Sequence, residues 1–309
     1  MMTNNDATYH VPVMLRECLE GLNINPDGVY VDVTFGGGGH SRAIFEQLSP
    51  NGKLIVFDQD PDARLNAWEA PNFFFVAANF AFLRNHLRVM GIKEVDGILA
   101  DLGVSSHQFD DAKRGFSIRA DEALDMRMNQ AGDFTAAKIV ETYNEEELAR
   151  IFRAYGELDH PYKTAVELVK ARNKGAIKTT GQLMEALAAV APKFKDHKFF
   201  AQVFQALRIE VNQEMDVLEK FLLQTSEVLK TDGRLVVMSY HSLEDRMVKN
   251  IMKRGNLDGS IEKDFFGNVL KPFEEVNRKP IGPTEEEIQR NSRARSAKLR
   301  IAKRLPDGK

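Results

Sequence analysis

The run Val31-Asp32-Val33-Thr34-Phe35-Gly36-Gly37-Gly38-Gly39-His40-Ser41 carries the most specific chemistry in the chain. Four glycines directly after a strand let the backbone turn tightly and admit a ligand against the main chain, because no Cβ stands in the way. Asp58 follows 22 residues after Gly36, at the end of the next predicted strand, where a carboxylate can accept both hydroxyls of a ribose. Together these residues point to a nucleoside-bearing cofactor. The competing reading is a structural turn with a surface aspartate.

Missing features narrow the cofactor. The dinucleotide fingerprint needs a third glycine beside a pyrophosphate, but Gly36-x-Gly38 is followed by Ser41, and no Walker lysine is present for a triphosphate. S-adenosylmethionine has a ribose and an adenine, lacks phosphate, and is positively charged at its methionyl end. Asp32 and Asp101, at the ends of adjacent inner strands, suit that charge. Ligands bind outside the carboxyl ends of strands in open α/β sheets, so Asp32, Gly36 to His40, Asp58 and Asp101 are expected to line one crevice. Asp101 is the catalytic candidate, orienting either the cofactor or a target amine. Methylation at C5 of a pyrimidine needs a nucleophile, usually a cysteine. The only cysteine, Cys18, precedes the first strand and reads as a small buried apolar residue. An exocyclic amine needs no covalent catalyst.

Tyr240, His241 and Glu244 follow the fifth predicted strand at the same edge and are substrate candidates. Tyr240 could stack on a base, or simply be a half-buried strand-end tyrosine. For His241 and Glu244 the competing reading is the start of the next helix, capped by Ser242. His10, His86, His160 and His197 lack ligand spacing, so no metal is assigned.

These residues need a scaffold, and hydrophobic periodicity supplies one. Strands are predicted at Val29–Thr34, Leu54–Asp58, Phe73–Ala77, Ile98–Asp101 and Arg234–Ser239, with two more around Phe273–Asn277 and Ala297–Ala302. Helices are predicted at Ser41–Leu48, Pro61–Trp68, Phe82–Met90 and Leu243–Arg254. Strand and helix alternating at this spacing mean parallel strands with right-handed crossovers. From Asp110 to about Gln205 only helical patterns and loops occur: one helix behind Asn144 with Glu145-Glu146-Glu147 in its first turn, then Tyr162–Arg172 and Gln182–Val190, the latter behind Thr180. A long helix is expected from Phe200 through Leu222, since its apolar residues step by threes and fours. The expected fold class is a Rossmann-like α/β sheet with a helical insertion after the fourth strand. Its parts are a first core segment (1–109), the insertion (110–205) and a second core segment (206–309).

At 309 residues, 43% hydrophobic and 28% charged, the chain can bury one large core or two medium ones. No apolar run exceeds six residues (Phe73 to Ala78, Ala186 to Ala191), far short of the roughly 18 to 20 that cross a bilayer, so no membrane partner is expected. The polar start, with Asn4, Asn5 and Asp6, lacks a secretory signal, and one cysteine excludes a disulfide framework. The expected location is cytoplasmic. A net charge of -3 conceals an uneven distribution: Arg290 to Lys309 holds eight basic residues against Asp307 alone, and His160 to Phe200 holds eight against three acids. Arg293 and Arg295 are the candidate phosphate contacts; a solvated basic tail is the alternative.

Five ordered motifs, Asp32–Arg42 (DVTFGGGGHSR), Asp96–Ser106 (DGILADLGVSS) with Gln108, Phe204–Asn212 (FQALRIEVN), Ser239–Arg246 (SYHSLEDR) and Asn291–Arg300 (NSRARSAKLR), together resemble the RsmH/MraW family. The resemblance runs from about His10 to Arg304. It implies an S-adenosylmethionine-dependent methyltransferase of class I fold that acts on N4 of a cytidine in the decoding centre of 16S ribosomal RNA. It further implies cofactor contacts from Gly38, Gly39, His40, Asp58, Phe80, Asp101 and Gln108, and RNA recognition by the helical insertion. The expected partner is therefore 16S rRNA or the small ribosomal subunit; a homodimer is left open. Two departures stand out: His107 where relatives often have proline, and Gly37 where some carry arginine.

Overall fold

β-Branched and aromatic runs bounded by turns become strands close to where the pattern places them. The computed structural model describes residues 12–267 and 269–306; Asn4 to Asp6, His10, Asp307 and Lys309 lie outside these. The chain divides into two compact units, residues 1–103 with 216–309, and Val104–Met215. The second is wider at both ends than the 110–205 read from the sequence.

The first unit is a seven-stranded sheet. It begins with α1 (Leu15–Leu22), β1 (Val29–Asp32), α2 (Gly39–Phe45), β2 (Lys53–Phe57), β3 (Phe73–Val76), α3 (Leu83–Val89) and β4 (Val95–Asp101). The predicted helix at Pro61–Trp68 is a 3-10 turn, Pro61–Asn66, capped by the Asp60 carboxylate on the Asp62 N–H. Helix α1 was not anticipated: it is short, and its buried Cys18, Gly21 and Leu22 mark only two turns of an apolar stripe.

The second unit holds α4 (Ser106–Asp110), α5 (Ala136–Thr142), α6 (Glu145–Ala154), α7 (Pro161–Arg172), α8 (Thr180–Leu187) and α9 (Asp196–Asn212). The cap of α8 is Thr179, one residue ahead of the Thr180 that the sequence suggested. Ile139, Phe152, Leu168, Leu183, Val203 and Leu207 lie at the centre of its core, each fully buried. The single long helix expected through Leu222 is two. After α9, Gln213 turns left-handed at φ 50°, and α10 (Glu214–Val228) starts anew. The break has local causes. Asn212 spends its amide on the Met128 N–H and the Met126 carbonyl, and Arg208 grips Glu214 through two hydrogen bonds of 2.8 and 2.9 Å.

Back in the sheet unit follow β5 (Leu229–Ser239), α11 (Ser242–Arg254), β6 (Phe273–Glu275), α12 (Glu285–Arg290) and β7 (Lys298–Arg304). The strand order is β3-β2-β1-β4-β5-β7-β6. The first five run parallel, and β7 is antiparallel to both β5 and β6. The inner strands read as near-continuous apolar runs because both sheet faces are covered. Order reverses at β1 and β4, which places the ligand crevice at the carboxyl ends of those two strands.

Candidate active site

Asp32 ends β1, Asp58 follows β2, Asp101 ends β4 and Tyr240 follows β5. Parallel strands carry all four residues to the same edge, as the sequence pattern requires. Their roles differ.

Asp32 is buried and faces the protein. Its Oδ1 accepts from the Thr34 N–H (3.0 Å) and hydroxyl (3.3 Å), and its Oδ2 accepts from the Ser41 hydroxyl at 2.6 Å. Both oxygens of Asp32 thus order the start of the glycine loop through Thr34 and Ser41. Thr34 passes the order on, because its hydroxyl also accepts from the Asp101 N–H at 2.7 Å. An aspartate two residues ahead of a threonine is an Asx-turn signal that sequence reading could have used.

The glycine loop is fixed from both sides. The Gly36 N–H donates to Asp58 Oδ2 (2.8 Å) and the Gly36 carbonyl accepts from the Asn66 amide (3.0 Å). Gly36 and Gly38 have φ of 50° and 76°, where a side chain is strained. A Cβ on Gly39 would stand 2.4 Å from Pro12, whereas one on Gly37 would meet nothing within 4 Å. Gly37 thus has room for a side chain.

Asp58 accepts from the Gly36 and Asp60 N–H groups, both at 2.8 Å. Each carboxylate oxygen retains a second lone pair for a hydroxyl donor. Burial pushes the carboxyl up to about 6, against the pull of those two N–H groups.

Asp101 is the focus of the edge. The Tyr240 hydroxyl donates to its Oδ1 at 2.8 Å, and His40 Nδ1 stands 3.7 Å from its Oδ2. His40 Nε2 donates to the Val13 carbonyl at 3.0 Å, which orients the ring. Burial pushes Asp101 up to about 6, partly offset by His40 and by the Tyr240 hydrogen bond. The same burial, with Asp101 alongside, drives the Tyr240 phenol well above its ordinary range. Cys18 is fully buried, and desolvation followed by the charge of Asp101 raises its thiol well above the ordinary value. A neutral, inaccessible thiol cannot serve as the nucleophile that C5 methylation needs.

His241 and Glu244 form a capping box at the start of α11. Glu244 Oε2 accepts from the Tyr240 N–H (2.8 Å) and the His241 N–H (3.3 Å), and His241 Nδ1 faces the Glu244 N–H at 3.4 Å. The cap is therefore His241, where the sequence suggested Ser242. His241 Nε2 is within 3.2 Å of Glu244 Oε1 but not aligned for a hydrogen bond. Phe80 is half-buried and meets Phe221 edge-on at 5.3 Å between centroids. Gln108 belongs to the helical unit, where it closes a capping box with Ser105.

The basic residues of β7 are tied to its neighbours. Arg300 and Lys298 reach Asp245 at 2.7 and 3.5 Å, Lys303 pairs with Asp232 and Glu274, and Arg304 donates to the Ser226 carbonyl. Arg293 and Arg295 lie on a 3-10 turn, Ser292–Ser296, with Arg295 exposed.

The residues present fit S-adenosylmethionine. A glycine turn without Cβ obstruction and a carboxylate with lone pairs for a diol meet at one strand edge, with a second carboxylate, Asp101, at the end of the neighbouring inner strand. Sheet and site together define a Rossmann-like α/β methyltransferase of class I. The profile of the MraW methylase family matches residues 7–305, and the chain belongs to that family. It is 57% identical to the ribosomal RNA small subunit methyltransferase H of Bacteroides thetaiotaomicron, over 98% of this chain and 100% of that one. To the protein of the same name from Parabacteroides distasonis it is 58% identical, again over 98% and 100%. A solved rRNA methylase from Streptococcus thermophilus aligns over 94% of both chains at 12% identity and a TM-score of 0.41, a likeness too weak to add to the assignment.

Proposed function

We propose that this protein transfers a methyl group from S-adenosylmethionine to the exocyclic N4 amine of a cytidine in the decoding region of 16S rRNA. The observation that carries the reading is the Asp101 carboxylate, held between the Tyr240 hydroxyl and His40 at the carboxyl edge of the sheet. Relatives that cover 98% of the chain are named ribosomal RNA small subunit methyltransferases, which supports the substrate class; a cytoplasmic, ribosome-associated location is part of the same reading.

The cofactor supplies an electrophilic methyl on a sulfonium. Asp58 accepts the ribose hydroxyls and the loop Gly36 to His40 carries the backbone approach. Asp101 accepts a hydrogen bond from the cytosine amine, which localises the nitrogen lone pair for attack, and takes the proton the amine gives up as its bond to the methyl carbon forms and the carbon–sulfur bond breaks, that electron pair leaving on the sulfur of S-adenosylhomocysteine. A carboxyl raised towards neutrality is a better proton acceptor than an ordinary aspartate. Further acceleration comes from holding amine and methyl in line. An extruded cytidine is needed, because N4 is engaged in any base pair.

The test is methyl transfer itself. Protein, methyl-labelled cofactor and small-subunit RNA are incubated, the RNA is digested and its nucleosides are separated by mass spectrometry. The expected product is labelled N4-methylcytidine. Label at C5, or none in either free RNA or assembled subunits, overturns the reading.

A further inference from the structure

The turn between α8 and α9 presents Lys193-Phe194-Lys195 and then Lys198, every one of them exposed. Phe194 is 100% exposed and holds φ 63°, a left-handed conformation that a bulky side chain rarely adopts. Hydrophobic burial does not explain this ring, which touches no core. The turn itself is firmly seated, because Phe199 and Phe200, the next aromatics along the chain, are buried and packed edge-on at 5.3 Å. Among the described residues none of Lys193, Lys195 and Lys198 has an ion-pair partner, and Asp196 is the one acid between residues 193 and 198. Three arginines of the helical unit are, by contrast, paired: Arg127 with Asp125, Arg150 with Glu210, Arg208 with Glu214; what sets the turn apart is the exposed ring between its lysines.

An aromatic face standing in water, flanked by uncommitted ammonium groups, has the chemistry of a single-strand contact. Bases stack on the ring, and lysines neutralise neighbouring phosphates. The geometry points to Lys193–Lys198 as a docking point for single-stranded RNA, with Phe194 stacking on an unpaired base and Lys193, Lys195 and Lys198 on the backbone. The inference rests on the RNA reading above and gives it a named contact in the helical unit. Phe265 serves as a comparison: it is 97% exposed on another loop, but follows Asp264, so an anion stands where the turn at Phe194 offers cations.

The probe is a fluorescein-labelled, unstructured oligoribonucleotide, compared with a duplex of the same sequence, on the full chain. Phe194→Ala should weaken single-strand binding about tenfold and leave duplex binding unchanged. Phe194→Trp should restore it, and Phe265→Ala should do nothing. Replacing the three lysines by alanine should lower the slope of log affinity against log salt by about 2. Single-strand affinity unchanged in Phe194→Ala overturns the inference. So does a Phe194→Ala protein that binds naked RNA normally and loses methyl transfer only on assembled subunits, which would assign the turn to a ribosomal protein. Methyl transfer by the unaltered protein is measured alongside. If it fails while Phe194→Ala still costs single-strand binding, the methylation reading falls and this surface stands.

Discussion

Asp101 shows how a short side chain is made to work by its neighbours. Its backbone N–H is held by Thr34, which is in turn held by buried Asp32, and its carboxylate receives the Tyr240 hydroxyl. The hydrogen bond from Tyr240 favours the ionised form, so it opposes the burial that, on balance, leaves the carboxyl raised to about 6. Tyr240→Phe removes that donor, and Asp101 should then titrate at higher pH. If ionised Asp101 accepts the amine proton, the acidic limb of the pH–rate profile for kcat should move upward, with activity near pH 8 much less affected. A profile that falls evenly at all pH values would mean that Tyr240 serves only to fill space. The aspartates and glycines of this site were legible because their chemistry is local: a glycine run and an acid at each strand end. The Tyr240 to Asp101 bond was not, because it joins residues 139 apart in sequence, and no spacing rule connects β4 to β5 across the inserted unit.

Among the elements, the glycine loop and the helix boundaries separate what local pattern determines from what packing determines. Asn144 with Glu147, and Thr179 with Gln182, form capping boxes, and an N-cap followed three residues later by Glu or Gln is readable in any sequence. The break at Gln213 was invisible, since the apolar period runs through it; the grip of Asn212 on the segment around Met126 and Met128 and of Arg208 on Glu214 interrupts the helix. The four glycines look equivalent in sequence, yet they are not. Gly39 faces Pro12 at a distance no Cβ tolerates, while Gly37 faces open space. Gly39→Ala should therefore destabilise the protein by about 1 to 3 kcal/mol through overpacking and weaken cofactor binding. Gly37→Ala should leave thermal stability nearly unchanged. Equal losses in melting temperature for the two variants would contradict this account of the loop.

For the molecule as a whole, net charge is a poor guide to partners. The value of -3 averages over a basic C-terminal stretch in which Lys298, Arg300, Lys303 and Arg304 tie β7 to its neighbours and over a helical unit that exposes lysines around Phe194. Composition alone could not separate those two uses, because a lysine bound to Asp245 and one facing water count alike. Overall architecture was legible for a different reason: alternation of strand and helix restricts the topology to a parallel sheet, and the sheet then fixes where a ligand must sit. The account stands or falls on that crevice. A crystal grown with S-adenosylhomocysteine tests it most directly. The ribose hydroxyls should lie within hydrogen-bond distance of Asp58, with the backbone of Gly36 to His40 alongside and the sulfur turned towards Asp101. A nucleoside bound elsewhere, or with its ribose turned away from Asp58, would contradict it.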